Sequence, residues 1–327
     1  MLKKVSIIIP VKKINDYIKE SLSFIEKLNY DKKLIEVIIL PDEKEEILEK
    51  FSFTVKIIAT GSVYPGIKRD IGYKNSAGEI IAFIDDDVYP SENWLFAALK
   101  LFEKDENIGA IGGPAATPPS DSYMRKVSGF IYSSFLGGGN YSYRYIQQKE
   151  RQVDDYPSCN LIIKKEVLNK INGFNTEFWP GEDTVICLKI IKDLKMKIVY
   201  HPDVLVYHHR RKFPIGHLKQ VMSYGLHRGY FVKRFPETSM RVSYFFPSLF
   251  VLYIISLIVI PFFYRGIFYF IWLIPFFIYL VFLIIDGIRF FWYFPFVSAG
   301  IFITHIFYGI YFIKGLLSKK LKEELNK

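Results

Sequence analysis

The apolar positions of the first third fall into short runs separated by helix-spaced segments. Val5–Pro10 and Ile35–Leu40 are mostly apolar stretches of six residues, the pattern of strands buried on both faces. Between them, residues 15–28 carry Ile18, Leu22, Ile25 and Leu28 at helical spacing. The spacing then predicts a short helix over 43–51, a strand over 55–59, a turn over 61–66, a helix over 68–77 and a strand at Ile80–Ile84. Further on it predicts a helix over 93–103, short strands over 108–113 and 161–163, and helices over 166–171 and 183–194. Lys197–Tyr200 and residues 204–207 close the series as strands. Gly137-Gly138-Gly139 predicts a mobile loop. Strands alternating with helices imply an α/β domain around a parallel sheet, and such sheets bind ligands beyond the carboxyl ends of their strands.

A different material follows. From Val242 to Ile313 the only formal charges are Arg265, Asp286 and Arg289. Three spans, 244–263, 267–285 and 294–313, are each long enough to cross a hydrocarbon core as a helix. The organisation expected is a domain over 1–235, a membrane region of two to three helices over 242–313 and a basic tail over 314–327. The domain would end in an interfacial amphipathic segment at about 210–235 that contains Gln220 and Arg228.

The net charge of +10 is unevenly spread. Between Tyr207 and Arg241 eight basic residues face one acid, Glu237, just before the first span. That is the flank expected on the cytoplasmic side, against anionic lipid headgroups. Nucleic-acid binding is not expected, because no such motif accompanies the charge. With no signal peptide evident, the first domain is expected in the cytoplasm and the protein in the cell membrane as a multi-pass chain. Three full crossings would put the basic tail outside, against the positive-inside rule, so span 294–313 is the weakest candidate for a plain crossing. Cys159 and Cys187 lack metal-type spacing and are expected to be reduced.

The most informative chemistry is Asp85-Asp86-Asp87 at the end of the strand Ile80–Ile84. Three adjacent carboxylates repel, and a shared divalent cation relieves the repulsion. A metal held by few carboxylates usually bridges to substrate phosphates. Asp42, at another strand end, is placed to join the same site.

The order of motifs resembles the family 2 glycosyltransferases. Val5 to Val11 looks like their opening strand, with Pro10 at the donor site. Asp42 stands near their base-contacting aspartate, within Leu40-Pro41-Asp42-Glu43 rather than Asp-Asp-Gly-Ser. Lys68-Arg69-Asp70-Ile71-Gly72 is similar to their Ala-Arg-Asn-x-Gly segment, and Asp85-Asp86-Asp87 to Asp-x-Asp. Gly181-Glu182-Asp183 matches the later Glu-Asp motif, and Tyr207-His208-His209 a strand-end histidine.

The resemblance implies a GT-A fold, a Rossmann-like nucleotide-sugar domain, and transfer with inversion. It implies donor binding by Pro10, Asp42, Arg69, Asp85 and Asp86, with Mg²⁺ or Mn²⁺ held by Asp87, Asp85 and His208 or His209. Asp183, with Glu182 beside it, is the candidate base, since a hydroxyl nucleophile needs one at neutral pH. Asn160 and Trp179 are candidates for the acceptor or sugar pocket, and Gln220 and Arg228 for the membrane and diphosphate interface.

The expected donor is a UDP-, GDP- or dTDP-sugar. The expected acceptor is a lipid-linked glycan or other membrane-associated acceptor, with a hydroxyl favoured because a polyprenyl phosphate is already largely ionised and needs no base. A polyprenyl-phosphate glycosyltransferase, a processive polysaccharide synthase and a non-catalytic nucleotide-sugar-binding scaffold are the alternatives.

Overall fold

The computed structural model describes residues 3–264 and 266–325; Met1, Leu2, Arg265, Asn326 and Lys327 lie outside the described residues. The chain forms two compact units. One takes the described residues up to Pro118, Ile146–His209 and the C-terminal tail; the other takes Pro119–Tyr145 and Arg210–Leu321. The boundary expected at about 235 therefore falls inside the second unit.

All the strands lie in the first unit: β1 (Val5–Pro10), β2 (Ile35–Leu40), β3 (Thr54–Ile57), β4 (Ile80–Ile84), β5 (Val88–Pro90), β6 (Ile108–Gly112), β7 (Ala115–Ala116), β8 (Arg151–Val153), β9 (Asn160–Lys164), β10 (Lys197–Tyr200) and β11 (Val206–His208). Eight form one sheet in the order β3-β2-β1-β4-β9-β6-β10-β8, and β5-β11-β7 form a second, small one. β3, β2, β1 and β4 run parallel, in registers such as Val5↔Ile35 and Val5↔Ile80. β9 runs antiparallel to both β4 and β6, and β8 antiparallel to β10. The sheet is thus mixed, not purely parallel as expected. A strand buried on both faces is a continuous apolar run whichever way it points, so its direction does not show in the pattern.

Alternation along the strands divides the core. Ile7, Ile9, Val37, Ile39, Ala82 and Ile84 pack with Ile18 and Leu22 of the Asp16–Ile25 helix and with Trp94, Ala98 and Phe102 of the Trp94–Lys104 helix. Ile8 and Leu40 face the other way, against the Pro65–Lys74 helix. A Cβ on Gly72 would lie 2.6 Å from Ile8 Cγ2, so glycine lets that helix sit close on the sheet.

Residues 44–50 form no regular element, against the short helix expected. Helices this short are marginal in water, and the Glu45 carboxylate instead accepts the Ile14 N–H at 3.0 Å.

The second unit is helical. Val242–Phe263 and Ile267–Ile288 have 22 residues each, and Phe294–Leu317 has 24. At 1.5 Å per residue the shorter two reach about 33 Å, the thickness of a hydrocarbon core. Ile215–Arg234, expected as an interfacial segment, is a single helix laid along Phe294–Leu317. Glycines let the two backbones meet: a Cβ on Gly229 would lie 2.1 Å from the Phe312 carbonyl, and one on Gly315 2.0 Å from that of Leu226. Buried His217 joins three helices, its Nδ1 2.6 Å from Ser128 Oγ and its Nε2 2.9 Å from Thr304 Oγ1.

The expected 137–139 loop is instead a helical turn, Phe135–Gly138, continued by a 3₁₀ segment, Gly139–Arg144. Its glycines serve close packing: Cβ atoms on Gly137 and Gly138 would strike the carbonyls of Ile131 and Tyr132.

Candidate active site

The site is built on the carboxyl ends of β1, β2 and β4. The strand order changes direction at β1: the chain goes outward to β2 and β3, then returns to place β4 on the other side. A crevice at such a switch point is where open α/β sheets bind ligands. Asp42 follows β2 and Asp85–Asp87 follow β4, so the two sets of carboxylates flank it.

The Pro65–Lys74 helix supplies the cations. Pro65 at its first turn presets the backbone, and Lys68, Arg69, Gly72 and Tyr73 form its buried face. Arg69 donates from Nη2 to Asp85 Oδ1 and from Nη1 to Glu182 Oε1, both at 2.7 Å. Burial works against its charge, but the two carboxylates outweigh burial and hold its pKa above the ordinary arginine value. The second Glu182 oxygen accepts the Gly181 N–H at 3.0 Å. Arg69 and Glu182 are both enclosed, at 3% and 5% exposed. Arg69 was expected to contact the donor and Glu182 to share in catalysis. Both instead fix Asp85 and the start of the Glu182–Lys192 helix.

The small sheet brings in the histidine. β11 pairs antiparallel with β5, setting His208 opposite Val88. His208 Nε2 lies 3.1 Å from Asp87 Oδ1. Successive strand residues point to opposite faces, so His209 turns away and meets Glu20 Oε2 at 2.8 Å. Of the two histidines, then, His208 is at the acidic cluster. Ligand atoms of Asp85, Asp87 and His208 all lie within 4.8 Å of one another. Two hard carboxylate oxygens and one imidazole nitrogen fit a divalent ion such as Mn²⁺ or Mg²⁺. Asp86 turns elsewhere: its Oδ2 accepts from Asn15 Nδ2 at 2.9 Å, while Asn15 Oδ1 caps the Asp16–Ile25 helix.

Asp183 sits half-buried in the first turn of the Glu182–Lys192 helix, its Oδ1 accepting the Thr184 N–H at 2.8 Å. Gly181 before it has φ 120°, a backbone conformation only glycine adopts without strain. Trp179 is 44% exposed, its ring 6.0 Å from that of Tyr64 and close to parallel, so it is not a core residue.

Asn160 corrects an expectation. It is fully buried, donates to the carbonyls of Gly113 and Val204 at 2.6 and 2.7 Å, and accepts from Trp94 Nε1 at 2.8 Å. All its polar atoms are spent inside the protein, and it lines no acceptor pocket. Pro10 ends β1. Gln220 and Arg228 belong to the second unit, where Gln220 Oε1 accepts from Tyr132 Oη at 3.2 Å and the Arg228 guanidinium lies 4.8 Å from the Tyr244 ring centre.

Lys68 and Tyr64 carried no assigned role in the sequence. The signal for Lys68 was its place beside Arg69 on the same helix turn. Asp70 accepts the N–H groups of Phe174 and Asn175 at 2.8 and 3.0 Å, fixing the turn that leads towards Trp179, and burial raises its pKa.

A family model described as Glycosyl transferase family 2 matches residues 6–171, half of the chain. The chain is a family 2 glycosyltransferase. Among curated proteins, the glycosyltransferase is 23% identical over 271 residues to a Methanococcus voltae protein, over 78% of this chain and 81% of that one. That relative is named dolichyl N-acetyl-alpha-D-glucosaminyl phosphate 3-beta-D-2,3-diacetamido-2,3-dideoxy-beta-D-glucuronosyltransferase. Glycosyltransferase AglE of Haloferax volcanii is 24% identical over 224 residues, 64% of this chain and 68% of that one. Among solved structures, the mannosyltransferase PcManGT from Pyrobaculum calidifontis, in complex with GDP-Man and Mn²⁺, superposes with a TM-score of 0.61 at 15% identity. The match covers 98% of this glycosyltransferase and 89% of that chain, and it shows a shared fold that includes the apolar C-terminal helices.

Proposed function

We propose that this membrane-associated enzyme transfers a sugar, with inversion, from a UDP-, GDP- or dTDP-sugar to a hydroxyl of a lipid-linked glycan. The observation that carries the reading is the convergence of Asp85, Asp87 and His208 at the strand ends. Departure of a nucleoside diphosphate builds negative charge, which a divalent ion held by these three side chains neutralises when bound. Arg69 keeps Asp85 aimed at that position. Pro10, at the end of β1, and Asp42, beyond β2, receive the nucleoside. Adjacent strands lie about 4.8 Å apart, so β4 and β2 are separated by roughly 10 Å, the span from a diphosphate to its base. Asp183 accepts the proton of the attacking hydroxyl, and the Trp179 ring offers an apolar face to a pyranose.

The acceptor assignment draws on two supports besides Asp183. One is that the described residues include three helices long and apolar enough to cross a membrane. The other is the Methanococcus voltae relative, whose name specifies a dolichyl phosphate that already carries N-acetylglucosamine. In this reading the catalytic unit faces the cytoplasm.

The test is transfer of labelled sugar from a donor panel into organic-extractable lipid by full-length protein in detergent. Bare polyprenyl phosphate and its glycosylated forms are offered separately. Label on the glycosylated acceptor alone, lost in Asp183→Asn, supports the reading; label on bare polyprenyl phosphate, insensitive to Asp183→Asn, replaces it with phosphate acceptance.

A further inference from the structure

Lys68 is 2% exposed, and an ammonium so deeply enclosed needs its charge and all three protons answered. It donates to the Val11 carbonyl at 2.6 Å, to the Leu40 carbonyl at 3.0 Å and to Asp42 Oδ1. Those three acceptors use up its donors, so Lys68 has none left for a ligand. Asp42 is differently placed. Its side chain is 23% exposed. Its backbone is pinned on both sides, the N–H to the Lys12 carbonyl and the C=O to the Gly61 N–H, each at 3.0 Å. One carboxylate oxygen is held by Lys68, and no described residue donates to the other. A buried cation thus fixes a partly exposed carboxylate at the carboxyl end of β2, with one oxygen to which no described residue donates.

We propose that Lys68 is a specificity-determining positioning residue, which holds the Asp42 carboxylate in place as an acceptor and so restricts the donor to nucleotides whose base carries a ring N–H. The inference rests on Asp42 receiving the nucleoside. Uracil and thymine offer N3–H, and guanine offers N1–H. Cytosine and adenine present a lone pair at the corresponding ring nitrogen, which a carboxylate repels. A mobile Asp42 would not discriminate in this way, because a carboxylate free to rotate can turn from the ring nitrogen to a neighbouring donor. The resembled Ala-Arg-Asn segment has alanine where this chain has Lys68, so the device belongs to this chain rather than to the motif.

The test measures binding of UDP, GDP, dTDP, CDP and ADP, with Mn²⁺, to full-length detergent-solubilised protein. Wild type, Lys68→Met, Lys68→Gln and Asp42→Ala are compared, together with kcat and KM for the active donor. Lys68→Gln keeps two N–H donors on a side chain one atom shorter, and removes the charge together with the third donor, the one that meets Asp42. Wild type is expected to bind its preferred diphosphate at least about ten-fold more tightly than CDP and ADP. Both Lys68 variants should weaken that nucleotide by about ten-fold and cut its preference over CDP to about three-fold or less. The kcat at saturating donor should stay within about three-fold, a split that simple damage to the fold would not give.

Unchanged affinity and base ranking in Lys68→Gln, with both lost in Asp42→Ala, overturns the proposal and leaves Asp42 at the base. If Asp42→Ala changes neither, it is the placing of Asp42 that fails. Should both Lys68 variants lose their thermal transition, Asp42→Asn reads the same charge from the other side. A preference over CDP that survives Asp42→Asn overturns the proposal.

Discussion

Removing the guanidinium of Arg69 tests the frame on which the site hangs. Arg69→Met keeps an apolar stem beside Phe174, whose ring centre lies 5.6 Å from the guanidinium, but deprives Asp85 and Glu182 of their shared cation. The two carboxylates do not suffer equally. The Glu182 side chain is 7% exposed, and stranding a buried charge of this kind costs about 3–5 kcal/mol. The Asp85 side chain is 33% exposed, so water screens it and its share is at most about 1 kcal/mol. For a unit of this size about 1 kcal/mol moves the midpoint by 2–4 °C, so a total loss of about 3–6 kcal/mol should lower the transition by about 6–24 °C. The assay is thermal unfolding of the full chain in detergent at pH 7.5, followed by tryptophan fluorescence. Arg69→Met/Glu182→Met should recover most of the loss, because an apolar pair replaces a buried ion pair at little cost. A single variant within about 2 °C of wild type, or a double variant no better than the single, would refute the reasoning.

Other outcomes follow from the same geometry. Asp183→Asn should lower kcat by about 10²–10⁴ with donor binding unchanged, read from initial rates and nucleotide titration. Trp179→Ala should raise the acceptor KM by about two- to ten-fold, leave the donor KM alone, and so separate acceptor from donor contacts in one set of kinetics. Burial pushes His217 down to about 4 from its ordinary 6.5, whereas an unfolded chain takes up the proton at the ordinary value. Stability is therefore fully present above pH 6.5 and falls as pH drops towards 4, by about 3 kcal/mol from this group. Melting His217→Gln across that range should show a shallower pH slope than wild type.

The core was largely legible because buried strands and amphipathic helices leave strong periodic signals: Val5–Pro10, Ile35–Leu40 and Ile80–Ile84 were read to the residue. Strand direction was not, since apolar runs carry no sense of direction, and β9 reversed the expected parallel order. The site was legible where chemistry is concentrated. Asp85-Asp86-Asp87 marked itself by repulsion, and strand alternation, available in the sequence, separates His208 from His209 once the strand is known to pair with β5. Tertiary partners were invisible. Nothing local shows that Asn160 spends every polar atom on Gly113, Val204 and Trp94, or that Glu182 is the buried counterion of Arg69 rather than a second base. The same holds for Gly137 and Gly138, whose small size answers nearby carbonyls and not a need for motion.

The most direct test of the whole account is nucleoside-diphosphate release from the active donor, titrated with Mn²⁺, in wild type and Asp87→Ala. The account predicts release that rises with the ion in wild type and falls by about 10³ or more in the variant, with the thermal transition of the protein retained. Equal release by Asp87→Ala, or full release by wild type in chelator, would contradict it.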